Sequence, residues 1–217
     1  MDFVNEYGTA ILRIFTVLFW IILYKKTELK ETNKFVLNCF MIFLILFVIS
    51  NFLMLVFQRS PQVYLISWCI ISIFELYFII AVNFKLFSES KEYSDIFLIT
   101  VFVLSIPVIA ATVLSFSKRS YGPVNTADSY NQVLLLLGSI MVVKTLLSKA
   151  SFLENLEAFF IFSGLILYFG MHILSSSLFF INFLDNWNFG QYATFISLFY
   201  WSGSTVVVWK IKSTHLS

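Results

Sequence analysis

The sequence predicts an all-α integral membrane protein: a seven-transmembrane-helix up-down bundle with its N-terminus outside and its C-terminus in the cytoplasm. Three observations carry this expectation. Seven separate stretches are apolar over 18 residues or more, and about 20 such residues in a helix cross the hydrocarbon core of a bilayer. Hydrophobic residues make up 59% of the 217-residue chain and charged residues 12%, against about 45 to 50% and about 25% in soluble domains. The Lys and Arg residues gather in alternate connections between the stretches, the asymmetry that fixes orientation in a membrane.

Taken in order, the spans are Tyr7 to Tyr24, Phe35 to Phe57, Val63 to Phe84, Ile96 to Phe116, Tyr130 to Leu147, Leu156 to Phe183 and Gln191 to Trp209. The first follows acidic residues, Asp2 and Glu6, with neither a positive leader nor a small-residue cleavage site, so it is expected to remain in the mature chain. The second and third hold Cys39 and Cys69, which act there as small apolar residues and imply no disulfide framework. The fourth contains Pro107, the one proline deep in a span. The fifth opens on the polar pair Asn131 and Gln132, and the sixth carries His172 followed by Ser175, Ser176 and Ser177. The seventh holds no lysine.

With the N-terminus outside, the cytoplasmic segments hold ten basic residues (Lys25, Lys26, Lys30, Lys34, Lys85, Lys91, Lys144, Lys149, Lys210 and Lys212) and the outer segments hold three (Arg59, Lys118 and Arg119). The connections are short, the longest running from Lys85 to Asp95 and from Ser117 to Ser129. Short connections place consecutive helices antiparallel and adjacent. No segment reaches the roughly 40 residues of a self-sufficient domain, so residues 1–217 are read as one transmembrane domain, integral to a plasma (inner) membrane. Any cytoplasmic output then needs a separate protein.

Function is sought among the polar groups that lipid excludes, because an ionisable side chain at depth costs from about 3 kcal/mol upward and turns inward. Arg13 in span one, Glu75 in span three and His172 in span six share a depth range of about 10 Å at the helical rise of 1.5 Å per residue. Asn51 falls in the same layer, and Trp68, Tyr168 and Trp201 add rings with hydrogen-bonding tips. The expectation is an outward-facing pocket with Glu75, Arg13, His172, Asn51, Trp68, Tyr168 and Trp201 as its ligand-binding residues. The plainer alternative is that Glu75 and Arg13 pair to hold two helices together, that His172 and Asn51 are interhelical packing groups, and that the rings anchor the helices at the interface.

Enzymatic arrangements are missing. The chain has two histidines, too few for zinc chemistry or a bis-histidine haem, and it contains neither H-E-x-x-H nor G-x-S-x-G. No enzyme activity, metal or cofactor is expected. The net charge of +2 and the want of a basic run interleaved with aromatics exclude nucleic acid as a partner. In outline, seven helices with an outer N-terminus and short loops, the chain is similar to microbial rhodopsins. A retinal pigment requires a lysine within its last helix, and span seven offers only Lys210 at its cytoplasmic boundary. The pair Pro61-Gln62 resembles the proline-glutamine pairs of small seven-helix sugar carriers, but it occurs once, at the mouth of an outer connection.

The expected function is a receptor-like sensor that binds a small or lipidic ligand in the outer pocket and signals through a separate cytoplasmic protein such as a kinase. Basic connections mixed with acids (Glu28, Glu31, Glu89, Glu92) offer that partner a surface. The alternatives are a small proton-coupled solute carrier with Glu75 as the titrating group, and a structural or assembly subunit of a larger membrane complex. The lipid bilayer is the partner common to all three.

Overall fold

The structure, a computed structural model, describes the backbone of residues 2–26, 29–57, 60–87, 94–148, 152–180 and 187–215, with their side chains apart from 2–7, 26, 55, 87, 94, 95, 98, 152, 175–180, 187–191, 193 and 215. Arg59, Lys91, Lys149, Glu28, Glu89 and Glu92, and the side chains of Lys26, Ser175, Ser176 and Ser177, lie outside the described residues.

Seven helices account for nearly all of the described chain: α1 (Asp2–Lys26), α2 (Glu31–Val56), α3 (Pro61–Phe87), α4 (Ser94–Lys118), α5 (Gly122–Ser148), α6 (Leu156–Phe180) and α7 (Trp187–His215), with one 3-10 turn at Phe152–Asn155 ahead of α6. No strand is present among the described residues. Each helix overlaps one predicted apolar run, because a backbone without water must close its own hydrogen bonds. Six helices, α1 to α6, hold windows long and apolar enough to cross a membrane, and this marks a membrane protein. The seventh, α7, is diluted by Ser197, Ser202, Ser204 and Thr205, and Ser197, Ser204 and Thr205 are buried within the bundle.

One boundary departs from the sequence reading. Residues 117–129 were expected as a connection, yet α5 begins at Gly122, eight residues before the predicted start at Tyr130. Pro123 sits in its first turn, where a missing N–H costs nothing, and Thr126 and Ser129 donate back to the carbonyls of Gly122 and Asn125. The turn before it is compact: Arg119 adopts a left-handed backbone (φ 50°), and the Ser120 N–H donates to the Ser115 carbonyl at 3.2 Å, closing α4 in a Schellman geometry.

The packing partners run in order around the bundle, α1 against α2 and α7, α2 against α3, α3 and α5 each against α4, α5 against α6, and α6 against α7, with α3–α5 and α2–α6 packed across the middle. Specific contacts set the register. Arg13 meets Phe47 and Trp20 meets Phe40, so α1 and α2 are antiparallel. Thr16 and Ser202 share a 2.9 Å hydrogen bond while Gly8 faces Phe195, so α1 and α7 run parallel. On α5 the buried positions Val124, Ala127, Asn131, Leu135, Ser139, Val142 and Leu146 recur at intervals of three and four residues and form one inward stripe.

The exterior is apolar, as lipid requires. Ile14, Phe15, Leu18, Phe19 and Ile22 of α1 and Phe102, Val103, Ile106, Ile109 and Val113 of α4 are all exposed, a belt far larger than a water-soluble surface tolerates. The interior is the more polar side, with Arg13, Thr16, Glu75, Asn131, Ser139, Glu157 and Ser197 buried. Its hydroxyls are largely self-satisfied: Thr16, Ser105, Thr112, Ser139 and Ser204 each donate to the carbonyl four residues earlier.

Candidate functional site

Three polar clusters interrupt the apolar interior. The first surrounds Arg13. Its guanidinium stacks over the Phe47 ring at 4.5 Å and is 8% exposed. It lines a narrow crevice together with Phe43, Leu44, Phe47, Tyr168, Thr194, Leu198 and Trp201, with room for about one water molecule. Burial inside the bundle means that Arg13 does not snorkel to headgroups. Among the described residues it forms no ion pair and no hydrogen bond, and the Tyr168 hydroxyl likewise forms no hydrogen bond. The magnitudes make this notable. A desolvated cation–π contact contributes about 2 kcal/mol, whereas burying a charge costs several kcal/mol even after relaxation.

Aromatic packing fixes the crevice wall. Tyr168 packs against His172 at 4.5 Å, Phe43 at 6.4 Å and Trp201 at 6.2 Å between ring centroids, and Trp201 meets Phe40 edge-on at 4.8 Å. The Trp201 indole N–H donates to the Ile161 carbonyl at 3.1 Å. That bond needs Gly164 beneath the ring, since a Cβ there would come within 2.0 Å of the indole nitrogen.

The second cluster lies between α3 and α5. Trp68 donates through its indole N–H to Asp128 at 2.9 Å, and the Gln132 amide donates to the other Asp128 oxygen at 2.6 Å. Asn131 donates to Glu75 at 3.5 Å. Trp68 and Glu75 are seven residues apart on α3, two turns along one face, opposite Asp128 and Asn131 on α5. Two carboxylates are thus held within electrostatic reach of each other inside the bundle. Further along the same pair of helices, Asn83 donates to the Gly138 carbonyl at 3.2 Å.

The third cluster sits at the end of the bundle that holds the C-terminus. Glu157, wholly buried, accepts from Lys212 of α7 through one oxygen and from Asn33 of α2 through the other at 2.9 Å. Asn33 also donates to the Glu154 carbonyl at 2.6 Å, and Lys30 pairs with the Glu154 carboxylate. Three helices and the 3-10 turn are tied there by charged groups.

Of the residues singled out from the sequence, the structure brings Arg13, Tyr168, His172 and Trp201 together. Glu75 and Trp68 belong to the α3–α5 cluster, and Asn51, one turn beyond Phe47 on α2 and half-buried, takes part in none of these contacts. Glu75 and Arg13 form no ion pair among the described residues; each has a different neighbour. Tyr168 stands between the two groups, within electrostatic reach of both Glu75 and Arg13. Asp128, Asn33, Glu157 and Lys212 were not singled out, although Glu157 and Lys212 were visible as charges at span ends.

The α3–α5 cluster gives a direct test of interhelical bonding. Trp68→Phe keeps an aromatic ring, though a smaller one, and removes the donor to Asp128, and is expected to destabilise the bundle by about 1 kcal/mol; SDS-induced unfolding in mixed micelles reads this. A shift as large as that of a core truncation would mean that Trp68 acts through packing instead.

A scan of protein-family models and searches of curated proteins and solved structures found no match to the chain. The reading therefore stands on the chain's own geometry.

Proposed function

We propose that the chain is a seven-helix membrane sensor. In this reading α7 crosses the bilayer with the other six helices, the N-terminus lies outside, and the crevice around Arg13, Tyr168 and Trp201 receives a small or lipidic ligand from the outer side. Binding shifts α6 against α7, and a separate cytoplasmic protein reads the change at the end where Glu157, Lys212 and Asn33 meet.

The observation that carries the proposal is that α6 and α7 contribute to both sites, beside α1 and α2 at the crevice and α2 at the tie. From Glu157 to Tyr168 on α6 is eleven residues, and from Trp201 to Lys212 on α7 is also eleven, a rise of about 16 Å in each case. A displacement at the crevice is therefore delivered by two rigid rods to the ionic tie at the far end, without a hinge between. Such a tie has two discrete states, closed or parted, which is what a switch requires. The length of α7, 29 residues, and its contacts along α1 and α6 support its crossing. Lys25, Lys30, Lys34, Lys85, Lys144, Lys210 and Lys212 crowd the C-terminal end of the described bundle, the arrangement expected of a cytoplasmic face.

Spin labels at Leu153 and Ser213, both exposed, placed in a Cys39→Ala, Cys69→Ala background, report the separation of the ends of α6 and α7. The expected result is a shifted distance distribution in Arg13→Met and Trp201→Phe, in the direction produced by parting the tie directly with Lys212→Met. If Lys212→Met moves the labels while both crevice variants leave them in place, the two sites are uncoupled and the sensor reading fails.

A second reading, a proton-coupled carrier, is favoured by the paired carboxylates Glu75 and Asp128. It requires solute uptake into proteoliposomes that follows a proton gradient and collapses in Glu75→Gln. The sensor requires no flux in either protein.

A further inference from the structure

We propose that the crevice between α1, α2, α6 and α7 is an anion site, and that the group it takes is a small monovalent anion, a halide or a small carboxylate. This deepens the sensor reading by naming the ligand class of the same site, and it rests on that reading only for the consequence of binding. Two donors converge on the crevice with no hydrogen-bond acceptor of their own among the described residues. Arg13 offers a planar fork of N–H groups and no acceptor, is more than nine-tenths buried, and meets only the face of Phe47. Tyr168, also more than nine-tenths buried, brings a hydroxyl to the same crevice wall. Neither forms a hydrogen bond among the described residues.

The rest of the wall selects charge and size. Phe43, Phe47, Leu44 and Leu198 present carbon, with Thr194 as the further polar residue of the lining, so an anion inside is largely desolvated and its attraction to Arg13 is strong. The other ionisable side chain beside the pair is His172, a further nitrogen donor or acceptor against Tyr168. The acidic residues Glu75 and Asp128 are engaged on α3 and α5, and neither compensates Arg13 by direct pairing. Space for about one water molecule suits a halide or a carboxylate as small as formate and excludes a long-chain carboxylate or a phosphate ester without movement of α7. Such movement is what the sensor reading attributes to binding.

The test uses the full chain in phosphatidylcholine nanodiscs, melted in sodium gluconate, whose anion is too bulky to enter. Chloride, nitrate and formate are then titrated in, and a parallel set of discs carries phosphatidylglycerol in gluconate alone. The expected result is a saturable rise in melting temperature with chloride or formate, abolished in Arg13→Met and moved about tenfold to higher concentration in Tyr168→Phe, which keeps the ring and loses one charge-assisted bond. Arg13→Met is also expected to melt higher than the unsubstituted protein in gluconate, because it removes a buried charge that forms no ion pair among the described residues. A rise confined to phosphatidylglycerol discs and lost in Arg13→Met means that the crevice takes a phosphodiester headgroup, and overturns its assignment to a small monovalent anion. No response to any anion, or a response undiminished in Arg13→Met, overturns it. If Arg13→Met does not accumulate, an unchanged titration midpoint in Tyr168→Phe overturns it equally. Anion stabilisation without label movement removes the sensor and keeps the anion site; label movement in Arg13→Met without any anion effect does the reverse.

Discussion

Lys212→Met is expected to destabilise the bundle by about 3 to 5 kcal/mol, the usual consequence of removing one member of a buried ion pair. Glu157 is wholly buried, and after the substitution its carboxylate keeps only the Asn33 amide as a donor. A carboxylate facing carbon with one hydrogen bond is a poor exchange for one that also held an ammonium. The double variant Glu157→Gln, Lys212→Met is expected to recover most of the loss, since the Gln side chain carries no charge to leave uncompensated and its oxygen still accepts from Asn33. Reversible unfolding of the single and double variants in mixed micelles measures both effects. Equal loss in single and double variants would mean that the tie acts through chain packing rather than charge. For the sensor the same pair has a second consequence: the double variant has no ionic tie to part, so a cytoplasmic partner's response is expected to become independent of the crevice.

That tie also shows where sequence reasoning reaches its limit in a membrane bundle. The helices themselves were legible, because a run of apolar residues long enough to span lipid leaves the backbone little alternative to a helix. The exception, the early start of α5, came from reading Asn125, Asp128 and the serine between Asp128 and Tyr130 as a polar connection. Ser129 bonds back to its own helix and Asp128 accepts from Trp68 of the neighbouring α3 instead, and Asp128 was overlooked as a result. Depth was legible too, since counting residues along a helix at a fixed rise assigns a level to each polar group. Arg13, Tyr168, His172 and Trp201 were picked by level and do meet. Azimuth was not legible. A helix turns through 100° per residue, so two groups at one depth face each other or stand a helix diameter apart according to rotations set by the whole packing. Glu75 shares a level with Arg13 but turns towards Asn131 and Asp128. Glu157 and Lys212 are 55 residues apart; Lys212 counted only towards orientation and Glu157 was not singled out, because nothing local to either one names the other.

Gly164→Ala is expected to disturb the bundle more than any other single added methyl group, for reasons that lie in α7 rather than in α6. The new Cβ would stand 2.0 Å from the Trp201 indole nitrogen and 2.6 and 2.7 Å from two of its ring carbons. An indole is rigid, and this one is hemmed in by Phe40 at 4.8 Å and by Tyr168, so the ring cannot rotate aside. Relief requires α7 to retreat from α6, which breaks the bond to the Ile161 carbonyl and opens the crevice wall beside Arg13. Overpacking of a well-filled interior costs about 1 to 3 kcal/mol, and the lost interhelical bond adds about 0.6 kcal/mol on average in membrane bundles. Gly170→Ala and Gly203→Ala are the matched controls: each adds the same methyl to a helix of the bundle, and neither Cβ meets anything within 4 Å. Both are expected to be neutral or slightly stabilising, because alanine loses less backbone freedom on folding than glycine. Melting temperatures of the three variants in one detergent separate the effects. Equal shifts at all three positions would mean that helix propensity governs them. A large loss at Gly164 alone, restored by Trp201→Phe with its smaller ring, would assign the close approach of α6 and α7 to this one contact, and with it the position of the crevice that both helices enclose.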